Sequence, residues 1–112
     1  MKLSQVKEIL DAKVLTGDEF LDKEVNSACG CDLMSDVLAF VKDKAILLTG
    51  LMNLQVIRTA EMMDIETIIF VRGKVPDESI IGMAKMKDMT IMTTDYPLFI
   101  ASGKLYSEGL HN

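Results

Sequence analysis

The chain has 112 residues, of which 49% are hydrophobic and 26% charged, with a formal net charge of −5; this is the composition of a single folded domain and not of a disordered segment. The acidic balance argues against a nucleic-acid partner, which needs a basic face to offset the phosphates, and no apolar run approaches the roughly eighteen residues of a membrane span. Met1-Lys2-Leu3-Ser4-Gln5 lacks a signal-peptide core, and Cys29 and Cys31 stand too close for an easy structural disulfide, so the chain is expected in the cytoplasm with reduced thiols.

Leu3, Val6, Ile9 and Leu10 share one helical face, which predicts a short amphipathic helix over residues 3–12 with Ser4 as its cap. Lys13–Thr16 is a β-prone stretch closed by Gly17-Asp18, and Glu24–Ser27 is a second candidate strand, with residues 19–23 connecting them. After Gly30, Leu33, Val37, Leu38 and Val41 fall at helical spacing, and either Asp32 or Ser35 is placed to cap that helix.

The second half repeats one unit three times: a short apolar run stops at small or polar residues and a helical pattern follows. Ala45–Thr49 precedes Gly50-Leu51-Met52-Asn53, Thr67–Val71 precedes Arg72-Gly73-Lys74-Val75-Pro76-Asp77, and Thr90–Thr93 precedes Thr94-Asp95-Tyr96-Pro97. Asn53 and Asp77 are positioned as helix caps, and Pro97 as a first-turn residue. Residues 107–112 read as a frayed tail. Strands that alternate with helices must be joined by crossovers, which makes the sheet mainly parallel. The expected fold is therefore a three-layer α/β domain over residues 1–112 with four or five strands, and all three junctions lie at the carboxyl edge, where open α/β sheets bind ligands.

Thr49-Gly50 with Asn53 offers free N–H groups and a helix start for a carboxylate or phosphate; equally, the glycine only turns the chain and Asn53 only caps. Arg72 directly follows a strand, so its planar fork can clamp an anion at the same edge, whereas Arg58 lies within a helix and is expected to pair with Glu61 or another surface carboxylate. At the third junction, Asp95 can act as base, metal ligand or helix cap. Cys29 and Cys31 form either a functional thiol pair, for redox or metal handling, or two small residues of a loop. A tetrahedral metal site needs more ligands than these, and the one histidine, His111, sits in the tail. No serine, cysteine or lysine is paired with a general base, so no catalytic residue, metal or cofactor is expected. Nine methionines fill irregular core gaps or line an adaptable surface, and the methionine-rich, strongly apolar helices of residues 54–63 and 80–89 predict a homodimer.

From Val25 to Tyr106 the order of motifs resembles the DRTGG domain, closest to stand-alone bacterial versions related to the N-terminal domain of HPr serine kinase. The resemblance is carried by residues 31–38 (Cys31-Asp32-Leu33-Met34 onward), Leu48-Thr49-Gly50-Leu51-Met52-Asn53, Ile69-Phe70-Val71-Arg72-Gly73-Lys74-Val75-Pro76-Asp77, and Thr93-Thr94-Asp95-Tyr96-Pro97-Leu98-Phe99 with Ala101-Ser102-Gly103-Lys104-Leu105. The eponymous string does not occur; Thr49-Gly50 and Arg72-Gly73 echo parts of it. In that family the domain accompanies phosphotransacetylases and CBS-domain pyrophosphatases as a regulatory or dimerising piece, and the kinase relatives carry their phosphate loop in a separate domain for which this chain leaves no room. The resemblance thus implies a non-catalytic regulatory role. Together with the residues it points to a homodimer that binds a small anionic ligand through Thr49, Gly50, Asn53, Arg72, Gly73, Thr94 and Asp95 and signals to a partner protein.

Overall fold

Strands β3 (Ala45–Thr49), β4 (Thr67–Phe70) and β5 (Thr90–Thr93) are buried at every position, which is what a strand covered on both faces requires. The structure, a computed structural model, describes residues 1–40 and 42–111. Val41, counted in the helical pattern above, and Asn112 of the tail lie outside those residues. The other strands are β1 (Lys13–Thr16) and β2 (Ser27–Gly30), and the sheet order is β1-β5-β4-β3-β2. β2 to β5 are parallel; β1 closes the sheet antiparallel to β5, with a register shift between Val14 and Thr16.

Among the described residues five α-helices cover the sheet: α1 (Leu3–Ile9), α2 (Met34–Phe40), α3 (Leu54–Met62), α4 (Glu78–Met86) and α5 (Leu98–Ser107). At 7 to 10 residues none would persist alone in water, so packing must hold them. Alternation along the strands divides the core in two. Ile46, Leu48, Ile69 and Met92 meet α1 and α5 on one face, while Leu47, Ile68, Phe70 and Ile91 meet α2, α3 and α4 on the other. Each such side chain contributes about 2 kcal/mol of burial, and the result is the expected three-layer sandwich with a five-stranded, mainly parallel sheet.

Local expectations fared unevenly. Asn53 and Asp77 accept the N–H of Val56 and Ile80 and cap α3 and α4 as the sequence predicts. Ser4 is not a cap: Lys2 stands there, its N–H donating to Gln5 Oε1 at 2.8 Å, because Lys2 is pinned to Glu24 by a β-bridge that fixes where the helix can begin. The second strand is Ser27–Gly30 and not Glu24–Ser27; pairing with Ala45–Leu48 and burial of Ser27 and Cys29 outweigh the weak strand preference of Cys-Gly. The tail through His111 is ordered. Gly109, at φ +103°, turns the chain so that Leu110 donates back to Leu105 and buries its side chain, and the His111 carbonyl then accepts the N–H of Ala28 on the outer edge of β2.

The Ser79 hydroxyl and then the Ile80 N–H hold the Asp77 carboxyl below the ordinary aspartate range. A depressed folded value means that this cap stabilises above the ordinary aspartate pKa and is lost as pH falls through the lowered one. Asp77→Ala is therefore expected to lower the melting temperature at neutral pH and to leave a smaller gap from wild type in acid, read by thermal melts from pH 2 to 7.

Candidate functional site

Because β2 to β5 are parallel and lie in sequence order, their carboxyl ends form one row: Cys31-Asp32, Gly50, Arg72-Gly73-Lys74 and Thr94-Asp95-Tyr96. The chain leaves β2, β3 and β4 toward α2, α3 and α4 on one face, but leaves β5 toward α5 on the other. Neighbouring loops that part to opposite faces open a crevice between them. Here the parting falls between Arg72-Gly73 and Thr94-Asp95, whose backbones are hydrogen-bonded across it. The loop after β5 runs back along the edge: Tyr96 O accepts the Arg72 N–H at 2.9 Å, and Leu98 reaches Gly30, where an added Cβ would stand 3.2 Å from it.

Two adjoining groups make up the edge. In the first, Gly73 N–H donates to Thr94 O at 2.7 Å, and a Cβ on Gly73 would stand 3.0 Å from Asp95 Oδ1. Arg72 and Gly73 both have positive φ, +61° and +68°, and Lys74 N–H donates to Val71 O, the pattern of a type I′ turn. An arginine in that conformation is strained by about 1 kcal/mol. Of the other described non-glycine residues with positive φ, Asp11, Asp64 and Asp88 end helices and Lys44 sits in a turn. Arg72 is the one at the sheet edge. Its side chain is exposed and bonds no described residue, and Asp95 is likewise exposed.

The second group centres on a carboxylate. Asp32 Oδ1 accepts the Gly50 N–H at 2.7 Å and the Thr49 hydroxyl at 2.9 Å, while Lys74 Nζ donates to Gly50 O at 2.9 Å. Asp32 and Lys74 were missed by sequence reasoning. Lys74 was legible as the cation beside Arg72-Gly73, but Asp32 reaches this edge only once β2 ends at Gly30.

Several expected contacts are committed within the protein. The Thr49 hydroxyl serves Asp32 and also accepts from Leu51, and the buried Thr94 hydroxyl donates to Leu10 O at 2.7 Å. Asn53 is occupied as a cap. Asp95 does not cap α5, where Pro97 holds that position. Arg58 does not pair with Glu61, which bonds Lys87 at 2.6 Å. The groups left to a ligand are the Arg72 fork, the remaining N–H bonds of Lys74, and the carboxylates of Asp32 and Asp95.

Cys29 is buried and Cys31 half-buried on the same side of β2. Burial pushes the Cys29 thiol up, with neighbouring Cys31 and Asp36 adding to it, so Cys29 stays protonated at neutral pH. Iodoacetamide at pH 7.5 is expected to modify Cys31 first and Cys29 only on unfolding; equal rates in the folded protein would show that Cys29 is accessible. Among the described residues no three His, Cys, Asp or Glu side chains gather closely enough to hold a metal ion, and no helix is long and apolar enough to cross a membrane.

Residues 5–106 match the family model of the DRTGG domain. Among solved structures, the CBS and DRTGG domains of the regulatory region of Clostridium perfringens pyrophosphatase, complexed with the activator diadenosine tetraphosphate, superpose with a TM-score of 0.73 at 20% identity. The match covers 93% of this chain and 45% of that one, so this chain spans less than half of that structure. At such identity the likeness speaks to the fold. No curated protein matches the sequence.

Proposed function

The chain belongs to the DRTGG domain family, and from that premise we propose that it is a non-catalytic regulatory module that binds a small anionic ligand, a nucleotide or phosphorylated metabolite, and signals to a partner protein as a cytoplasmic homodimer. The observation that carries this reading is the strained Arg72, its side chain without a described partner, beside Lys74 where β4 and β5 end. Strain of this kind is retained where a side chain has work to do. The shared fold with a regulatory region crystallised with a nucleotide activator supports the ligand class. Thr49, Gly50, Asn53, Gly73, Thr94 and Asp95 then shape the edge, chiefly through the backbone, while Arg72 and Lys74 supply the charge.

Homodimer formation draws support from the outer face of α3 and α4, where Met62 is 68% and Met86 87% exposed. Light scattering at micromolar concentration is expected to give a species of twice 12.4 kDa, and a single 12.4 kDa species would remove the dimer from the account.

A second reading, an assembly scaffold without ligand, is favoured by one specific observation: the N–H groups of Gly50, Arg72 and Gly73 already have protein acceptors. A thermal-shift panel of nucleotides and phosphate esters decides between the two. Stabilisation by at least one of them, lost in Arg72→Ala, supports the sensor; no stabilisation, or the same shift in both proteins, supports the scaffold or a site elsewhere. A redox or metal accessory acting through Cys29 and Cys31 would instead reveal itself as bound metal in anaerobically purified protein, abolished by a double Cys→Ser change.

A further inference from the structure

Gly50 has no side chain, and what surrounds its empty Cβ position is unusual. That position lies 3.7 Å from both Asp32 carboxylate oxygens and 3.7 Å from Lys74 Nζ, all at ordinary van der Waals distance. A carboxylate and an ammonium therefore share the space over bare backbone, at most twice 3.7 Å apart, without forming an ion pair. Each is already oriented from below. Asp32 Oδ1 is taken by Gly50 and Thr49, which leaves Oδ2 with no described donor, and Lys74 spends one N–H on Gly50 O and keeps two.

This arrangement rejects a bare phosphate over Gly50. The N–H that would cradle it is occupied by Asp32, and the Asp32 charge repels a second anion at contact distance. What fits is a molecule that gives hydrogen-bond donors to the carboxylate and an anion to the ammonium. Resting on the anion site proposed above, we infer that Asp32 is a specificity-determining residue that selects nucleotides by their sugar, its Oδ2 accepting from the ribose hydroxyls while Lys74 and Arg72 hold the phosphates. A strand-end carboxylate that accepts from a ribose diol is an established way for an open α/β sheet to read a nucleotide. Phosphate alone then binds weakly, and a nucleotide without the diol loses the bonds to a charged acceptor, worth about tenfold or more in affinity.

Isothermal titration of the full chain with ADP, 2′,3′-dideoxy-ADP, pyrophosphate and glycine tests this. Wild type should bind ADP about tenfold or more tighter than the dideoxy analogue, and Asp32→Asn, which keeps the shape and the acceptor for Gly50, should bind the two alike. Lys74→Gln should weaken both nucleotides and pyrophosphate while preserving the preference for ADP. Equal binding of ADP and its dideoxy analogue by wild type, or a preference that survives in Asp32→Asn, overturns the role of Asp32 and leaves the anion site standing. Displacement of ADP by glycine, whose ammonium and carboxylate match the same two charges, also overturns the sugar assignment. Binding of none of the phosphorylated probes overturns the site itself.

Discussion

Gly17→Ala is expected to destabilise the domain by about 3 kcal/mol, a large share of the total for a chain of this size. Gly17 has φ +85°, and an added Cβ would lie 2.6 Å from both Met89 O and Thr90 Cα. Both are backbone atoms at the start of β5, so no side chain can swing away to make room. The left-handed conformation alone costs an alanine about 1 kcal/mol. Relieving the clash requires β1 to shift from β5, which also disturbs the buried bond from the Thr90 hydroxyl to Gly17 O. The melting temperature should fall by roughly 10 °C. A drop of only one or two degrees would mean that β1 is loosely held and that the antiparallel edge adds little to the fold.

Arg72→Gly should do the reverse to stability while removing function. Glycine adopts φ +61° without strain, so the substitution is expected to stabilise the protein by up to about 1 kcal/mol, less the extra freedom it gives the unfolded chain. The Arg72 N–H bond to Tyr96 O survives because it is backbone, and the arginine side chain has no described partner to lose. Nucleotide-induced stabilisation should disappear in the same variant. A gain in melting temperature paired with a loss of ligand response marks a residue kept for binding. If Arg72→Gly instead destabilised the protein as much as Gly17→Ala, the guanidinium would have a structural role, and its strain would need another explanation.

The parts of this fold that were legible in the sequence are those in which local pattern and tertiary burial agree. β3, β4 and β5 are apolar because both of their faces are covered, and Asn53 and Asp77 cap because their side chains bond N–H groups only three residues away. Errors arose where a distant partner decides. β2 is a strand because β3 and the His111 carbonyl flank it, and nothing within Ser27-Ala28-Cys29-Gly30 announces that. The three-residue displacement of this strand carried a functional consequence: it put Asp32, one of two candidate helix caps, at the carboxyl edge, beside Gly50. Of the seven residues expected there, Thr49, Gly50, Arg72, Gly73, Thr94 and Asp95 fall where strands end, since parallel order guarantees it, while Asn53 caps α3. Which of them face outward was not legible, because the inward commitments of Thr49 and Thr94 go to Asp32 and to the Leu10 carbonyl, distant in sequence.

In the proposed function the ends of β3, β4 and β5 form one anion-receptive edge built on Arg72 and Lys74. A titration of the uniformly 15N-labelled chain with ADP, followed by amide chemical shifts, tests it most directly. Saturable shifts are expected, concentrated at Gly50, Arg72, Gly73, Lys74 and Asp95. Shifts absent at those amides, or confined to the methionine-rich face of α3 and α4, would contradict it.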